Sequence, residues 1–137
     1  MKKYMRLSIG MMMCILLSAC GSSAKADPIV LPSTEDIISI SVSDDHAAAT
    51  CTDEKQIEEI MSVLMDMEST SKSSVNDTPD VDESVKIDLN CSDDTVTTVF
   101  FYEDSGTQYV EQPYQGIYIP APALNIMISN LLSEADS

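Results

Sequence analysis

Apolar and polar positions alternate along much of this chain and recur at helical spacing in two places. Ile38, Ile40 and Val42 alternate with Ser39, Ser41 and Ser43, the pattern of a half-buried strand. Ser43-Asp44-Asp45-His46 reads as a turn. Ala47, Ala49 and Cys51, alternating with Ala48, Thr50 and Thr52, predict the second arm of a hairpin. A helix is expected to follow Asp53, with Gln56 three residues on in capping-box register. Ile57, Ile60, Met61, Leu64 and Met65 then fall on one helical face. Residues 69–83 are polar and contain Pro79, so a loop or an irregular edge is expected there.

Alternation returns at Val85, Ile87, Leu89 and Cys91, which predict a second clear strand. Val96 to Tyr102 predicts the next one, and its Val99-Phe100-Phe101 run implies burial on both faces. Asp104-Ser105-Gly106 is a turn, Gln108 to Glu111 a hairpin arm, and Ile117 to Ile119 a short edge strand. Pro120 and Pro122 suit the first turn of a last helix with a stripe of Leu124, Met127, Ile128, Leu131 and Leu132. Together these predict an α+β domain: a single antiparallel sheet of about five or six strands packed against two helices.

The first residues read differently. Lys2, Lys3 and Arg6 precede an apolar run from Leu7 to Leu17, too short to span a bilayer as a helix. Leu17-Ser18-Ala19-Cys20 follows, then Gly21-Ser22-Ser23-Ala24. This resembles the lipobox of bacterial lipoproteins. The resemblance implies cleavage before Cys20 and a diacylglyceryl group on its thiol, holding the chain to the membrane from outside. The expected layout is a signal peptide over 1–19, a flexible tether over 20–34 broken by Pro28 and Pro32, one domain over 35–133 and a disordered tail over 134–137.

Charge narrows the partners. The chain has 7 Lys+Arg and 23 Asp+Glu, a net charge of −16. Loss of Lys2, Lys3 and Arg6 leaves four cations against the same 23 acids, or −19. Such a chain does not bind nucleic acid by neutralising phosphates, and it offers no basic patch for anionic lipid. Cations, neutral ligands and basic protein surfaces remain as partners.

Candidate chemistry is sparse. His46 is the single imidazole and sits in an expected surface turn; Asp44-Asp45-His46 reads as a solvated turn before a metal site. Asp77, Asp80, Asp82 and Glu83 are the better cation candidates, because spacings of two or three residues can converge oxygens on Ca²⁺. They lack an Asp-x-Asp-x-Asp-Gly register, and a charged, solvated loop explains them as well. Cys51 and Cys91 each end an inward-facing alternation. They read equally as a disulfide or as two buried thiols. Phe100, Phe101, Tyr102, Tyr109, Tyr114 and Tyr118 gather every aromatic beyond the leader into nineteen residues. The expected binding surface is Tyr109, Glu111, Gln112, Pro113, Tyr114 and Tyr118, with a packed hairpin corner as the alternative reading. No catalytic residue and no cofactor are expected.

Ser74-Val75-Asn76-Asp77-Thr78-Pro79 and Tyr109-Val110-Glu111-Gln112-Pro113-Tyr114-Gln115-Gly116-Ile117-Tyr118 carry a further likeness. Together they resemble an uncharacterised extracytoplasmic domain of Firmicutes, domain-of-unknown-function family 5301, over most of residues 35–132. The resemblance implies a module of small lipoproteins and of the outer tails of membrane peptidases similar to β-lactam sensors, with no assigned activity. The function expected is a lipid-anchored extracytoplasmic binding or sensing module, with an envelope protein or a small envelope ligand as partner. The alternatives are an accessory envelope lipoprotein and a carboxylate-dependent envelope enzyme.

Overall fold

Strand alternation accounts for most of the architecture. The computed structural model describes residues 25–135; the expected leader, Cys20 and the last two residues lie outside the described residues. Seven strands form one antiparallel sheet: β1 (Ile37–Ser43), β2 (Ala48–Cys51), β3 (Glu68–Ser69), β4 (Val85–Cys91), β5 (Val96–Asp104), β6 (Thr107–Gln112) and β7 (Gly116–Ile119). Their order is β2-β1-β4-β5-β6-β7-β3. The helices are α1 (Glu54–Met65) and α2 (Ala123–Ala135). The α+β class stands, with one strand more than expected. The addition is β3, two polar residues that pair with Tyr118 and Ile119 of β7.

Asp53 caps α1, its side chain accepting from Gln56 N–H at 2.9 Å. Ile57, Ile60, Met61 and Leu64 bury its apolar face. Met65, expected on that face, is 59% exposed because the helix ends there. Leu124, Ile128 and Leu131 bury the matching stripe of α2. Both helices lie on the sheet face carrying Ile40, Val42, Ile87, Leu89, Val99, Phe101 and Val110. One residue departs from the expected alternation in β1. The register shifts between Ile37 and Ser39, so Ile38 is the extra residue and is 58% exposed, while Ile37 turns inward opposite Cys91.

Register separates the two thiols. Cys51 on β2 lies opposite Ile40, and Cys91 on β4 opposite Ile37, with β1 between them. Two strand spacings, about 10 Å, and three residues along β1 exceed the roughly 7 Å that a disulfide tolerates between Cα atoms. Both are buried free thiols, and the disulfide reading is corrected.

The tether and tail also change. Residues 26–31 lie against the sheet as a strap: Ala26 N–H donates to Thr70 O at 2.7 Å, and Ile29 and Leu31 pack on the core. The helices pack over β2 and β1, and the strap covers the inner face at β6 and β7. At the other terminus α2 continues through Ala135, past the expected domain end at 133.

Candidate functional site

The antiparallel register assigns every aromatic of the tyrosine-rich stretch but Tyr114 to a face. Val110 stands opposite Tyr118, and Gln112 opposite Gly116, on the inner face. Phe100, Glu111 and Ile117 stand opposite one another on the outer face, as do Tyr102 and Tyr109. The two faces hold different partners.

On the inner face the side chains clamp the strap. Gln112 Oε1 accepts from Val30 N–H at 2.8 Å, and Gln112 Nε2 donates to Val30 O at 2.7 Å. Gln115 Nε2 donates to Pro28 O at 3.0 Å, and Tyr118 Oη donates to Asp27 O. These bonds give the strap's carbonyls partners the sheet ladder does not supply. Gly116 allows the approach: a Cβ there would stand 2.5 Å from Ala26 Cβ and 3.0 Å from Tyr118 Oη. Tyr118 and Gln112 therefore serve packing rather than a free surface, the alternative the sequence left open.

On the outer face the polar loop over residues 70–84 does the covering. Phe100, Tyr102, Glu111 and Ile117 are all buried there, and so is Ser74 from the loop. Ser74 Oγ donates to Glu111 Oε1 at 2.7 Å, and Tyr102 Oη donates to Glu111 Oε2 at 3.1 Å. Ser74 Oγ accepts from Tyr114 N–H at 3.2 Å, and Tyr114 Oη donates to Asp77 Oδ1 at 2.7 Å. Lys72 Nζ sits 4.4 Å from the Tyr109 ring centroid, a cation–π contact. Tyr114 takes φ 62° in the β6–β7 turn, a region bulky residues seldom occupy, and is 66% exposed. Of the expected surface, Glu111, Gln112 and Tyr118 are buried, Tyr109 and Pro113 are half-buried, and Tyr114 projects.

Three phenols are held above their ordinary pKa. Burial raises Tyr102, helped by the Glu111 charge, and burial raises Tyr118, helped by Asp27. The hydrogen bond to Asp77 raises Tyr114. The folded state thus favours the neutral phenols. Their contribution is complete below pH about 10, where unfolded tyrosine begins to ionise, and is lost as pH climbs toward the folded values. The melting temperature is expected to fall steadily above that pH, with phenolate absorbance appearing as the chain unfolds. A melting temperature that stays flat across the phenol range would contradict this.

The expected metal ligands do not converge. Asp77, Asp80, Asp82 and Glu83 are all exposed, and Asp77 is engaged by Tyr114. Among the described residues no group of three or more His, Cys, Asp or Glu could hold a metal ion. The loop is fixed by its uncharged members, Ser74 and Pro79, which turn inward and leave the acids in solvent. Asp44 is likewise a turn former: its Oδ1 accepts from His46 N–H and Ala47 N–H, each at 2.8 Å. Those bonds hold its carboxyl below the usual range. Cys51 donates to Gln56 Oε1 at 3.0 Å, and burial pushes its thiol up, away from a reactive thiolate.

A concave site also forms that the sequence did not mark as one. A cleft of about 240 Å³ opens at the end of the sheet where β1 and β5 finish and β4 begins. Asp44, Asp45, Glu83 and Glu103 form its acidic rim, with His46 beside them. Val85 and Phe101, paired on the inner face, give it an apolar wall, and Tyr102 also lines it. Only the antiparallel pairing brings these residues together. The Asp44-Asp45-His46 turn and Glu83, each singled out in the sequence for other reasons, are its local signals.

The fold and these sites define a small α+β domain whose sheet is covered by helices and a strap on one face and by a polar loop on the other. The chain belongs to domain-of-unknown-function family 5301, described as a domain of unknown function (DUF5300), which matches residues 25–119. The match opens at the strap, as expected if the strap is part of the domain. The chain is also similar to the solved NMR structure of the protein from Ruminococcus gnavus, at 30% identity and a TM-score of 0.59, covering 70% of this chain and 91% of that one. No curated protein matches.

Proposed function

We propose that this protein is a lipid-anchored extracytoplasmic binding or sensing module, non-catalytic, whose acidic cleft receives a positively charged ligand or a basic segment of an envelope protein. The basic head, apolar run and Leu17-Ser18-Ala19-Cys20 box support the anchor. The observation that carries the binding reading is the cleft: four carboxylates beside an apolar wall of Val85 and Phe101. Such a wall packs the stem of a Lys or Arg side chain, while the rim meets its charge. Rim carboxylates steer encounter more than they add affinity, so binding falls with salt.

The test uses the full lipidated chain in neutral detergent micelles and a fluorescent lysine-rich octapeptide. Salt-sensitive binding is expected, weakened about tenfold by Glu83→Gln with Glu103→Gln. Unchanged affinity in that variant, or no binding at low salt, sinks the cleft assignment. Intact mass of the same sample reports the acyl chains on Cys20.

A further inference from the structure

We infer that the end of the domain bearing the β6–β7 turn rests on phospholipid headgroups, with the acidic cleft held at the far end of the sheet. The inference depends on the proposed acylation of Cys20. Five residue steps separate Cys20 from Lys25. Whatever their conformation, they reach at most about 18 Å. Because the strap is bonded to β6, β7 and Thr70, no longer leash follows it. The lipid must therefore lie close to where the strap begins.

That place has the composition a headgroup layer selects. A groove of about 320 Å³ between strap and loop is lined by Lys25, Lys72, Ser71, Ser73 and Tyr114, with Asp27 also present. Lys25 and Lys72 are two of the four lysines left once the leader is removed. Asp27 in the groove and Asp77 on Tyr114 offset those two charges. The patch is therefore neutral on a chain whose mature balance is −19. Asp44, Asp45, Glu83, Glu103 and Asp104 gather where β1 and β5 end, and the β6–β7 turn lies at the other end of β6, whose 6 residues span about 20 Å. A charge distribution of this kind turns the neutral end toward anionic lipid and the acidic end away. Tyr114 at 66% and Val75 at 68% exposure project beside the groove, an amphipathic ring and an apolar side chain suited to the interface. Individually weak contacts suffice, because the acyl chains make them intramolecular.

The four remaining lysines supply the test. The full lipidated chain is acetylated with a lysine-specific reagent, once in phosphatidylglycerol–phosphatidylcholine vesicles and once in neutral detergent micelles. Lys25 and Lys72 are expected to react about fivefold more slowly in vesicles, while Lys55 and Lys86 react equally in both. Equal behaviour of all four lysines overturns the orientation. Protection of Lys25 and Lys72 by inorganic phosphate in micelles assigns the groove to a soluble anion and overturns the headgroup assignment. A mass lacking diacylglyceryl on Cys20 removes the anchor itself, and the two failures are told apart on one sample.

Discussion

Tyr118→Ala is expected to cost about 3–5 kcal/mol, a large share of the stability of a domain this size. Tyr118 is the largest of the fully buried side chains, at 1% exposure. Its ring fills the inner face beneath the strap, and its hydroxyl holds the Asp27 carbonyl. Truncation removes both at once and opens a cavity that Ile29 and Leu31 cannot close without leaving their own contacts. Tyr118→Phe separates the two contributions. It keeps the ring and loses one hydrogen bond, for about 1 kcal/mol. Urea unfolding of both variants gives the comparison, and amide exchange at Ala26–Leu31 reports whether the strap lifts first. A Tyr118→Ala variant within 1 kcal/mol of the parent would show that the strap and its tyrosine are not part of the core.

Glu111→Ala is expected to cost about 2–4 kcal/mol, because it strands two buried donors at about 1–3 kcal/mol each. The Tyr102 hydroxyl and the Ser74 hydroxyl both lose their acceptor. Glu111→Gln keeps the volume and one acceptor oxygen, and should cost clearly less. Adding Tyr102→Phe to Glu111→Ala should restore part of the loss, since one of the stranded groups is then gone. The diagnostic is local: amides over residues 70–84 should exchange before the sheet opens. Loop protection unchanged by Glu111→Ala would mean the loop is held by something other than this carboxylate.

The readable parts of this fold are those in which side chains alone declare the environment. Ile87, Leu89 and Cys91 alternate with charged and amide residues, and β4 follows. Asp53 and Gln56 announce the start of α1, and their bond forms as expected. Ile38 misleads because an extra residue in β1 reverses parity, and nothing in the side chains marks the reversal. β3 is two polar residues whose order comes from pairing with β7, so no local pattern announces it. The strap is harder still. Pro28 and Pro32 read as tether punctuation, yet the groups that fix residues 27–30 are Gln112, Gln115 and Tyr118, more than eighty positions later. The tyrosine-rich stretch was visible as a cluster; its division between the two faces needed the register of β6 and β7. The acidic cleft drew on three separated turns and strand ends, which composition could not bring together.

At high local density open sheet edges recruit one another. Here the outermost strands are β2 with four residues and β3 with two, flanking interior strands of up to nine. So brief a stretch of free backbone offers little template for a passing copy to extend. The abrupt shortening of the sheet toward both margins therefore works as crowding tolerance, the property that the anchoring proposed above would call on.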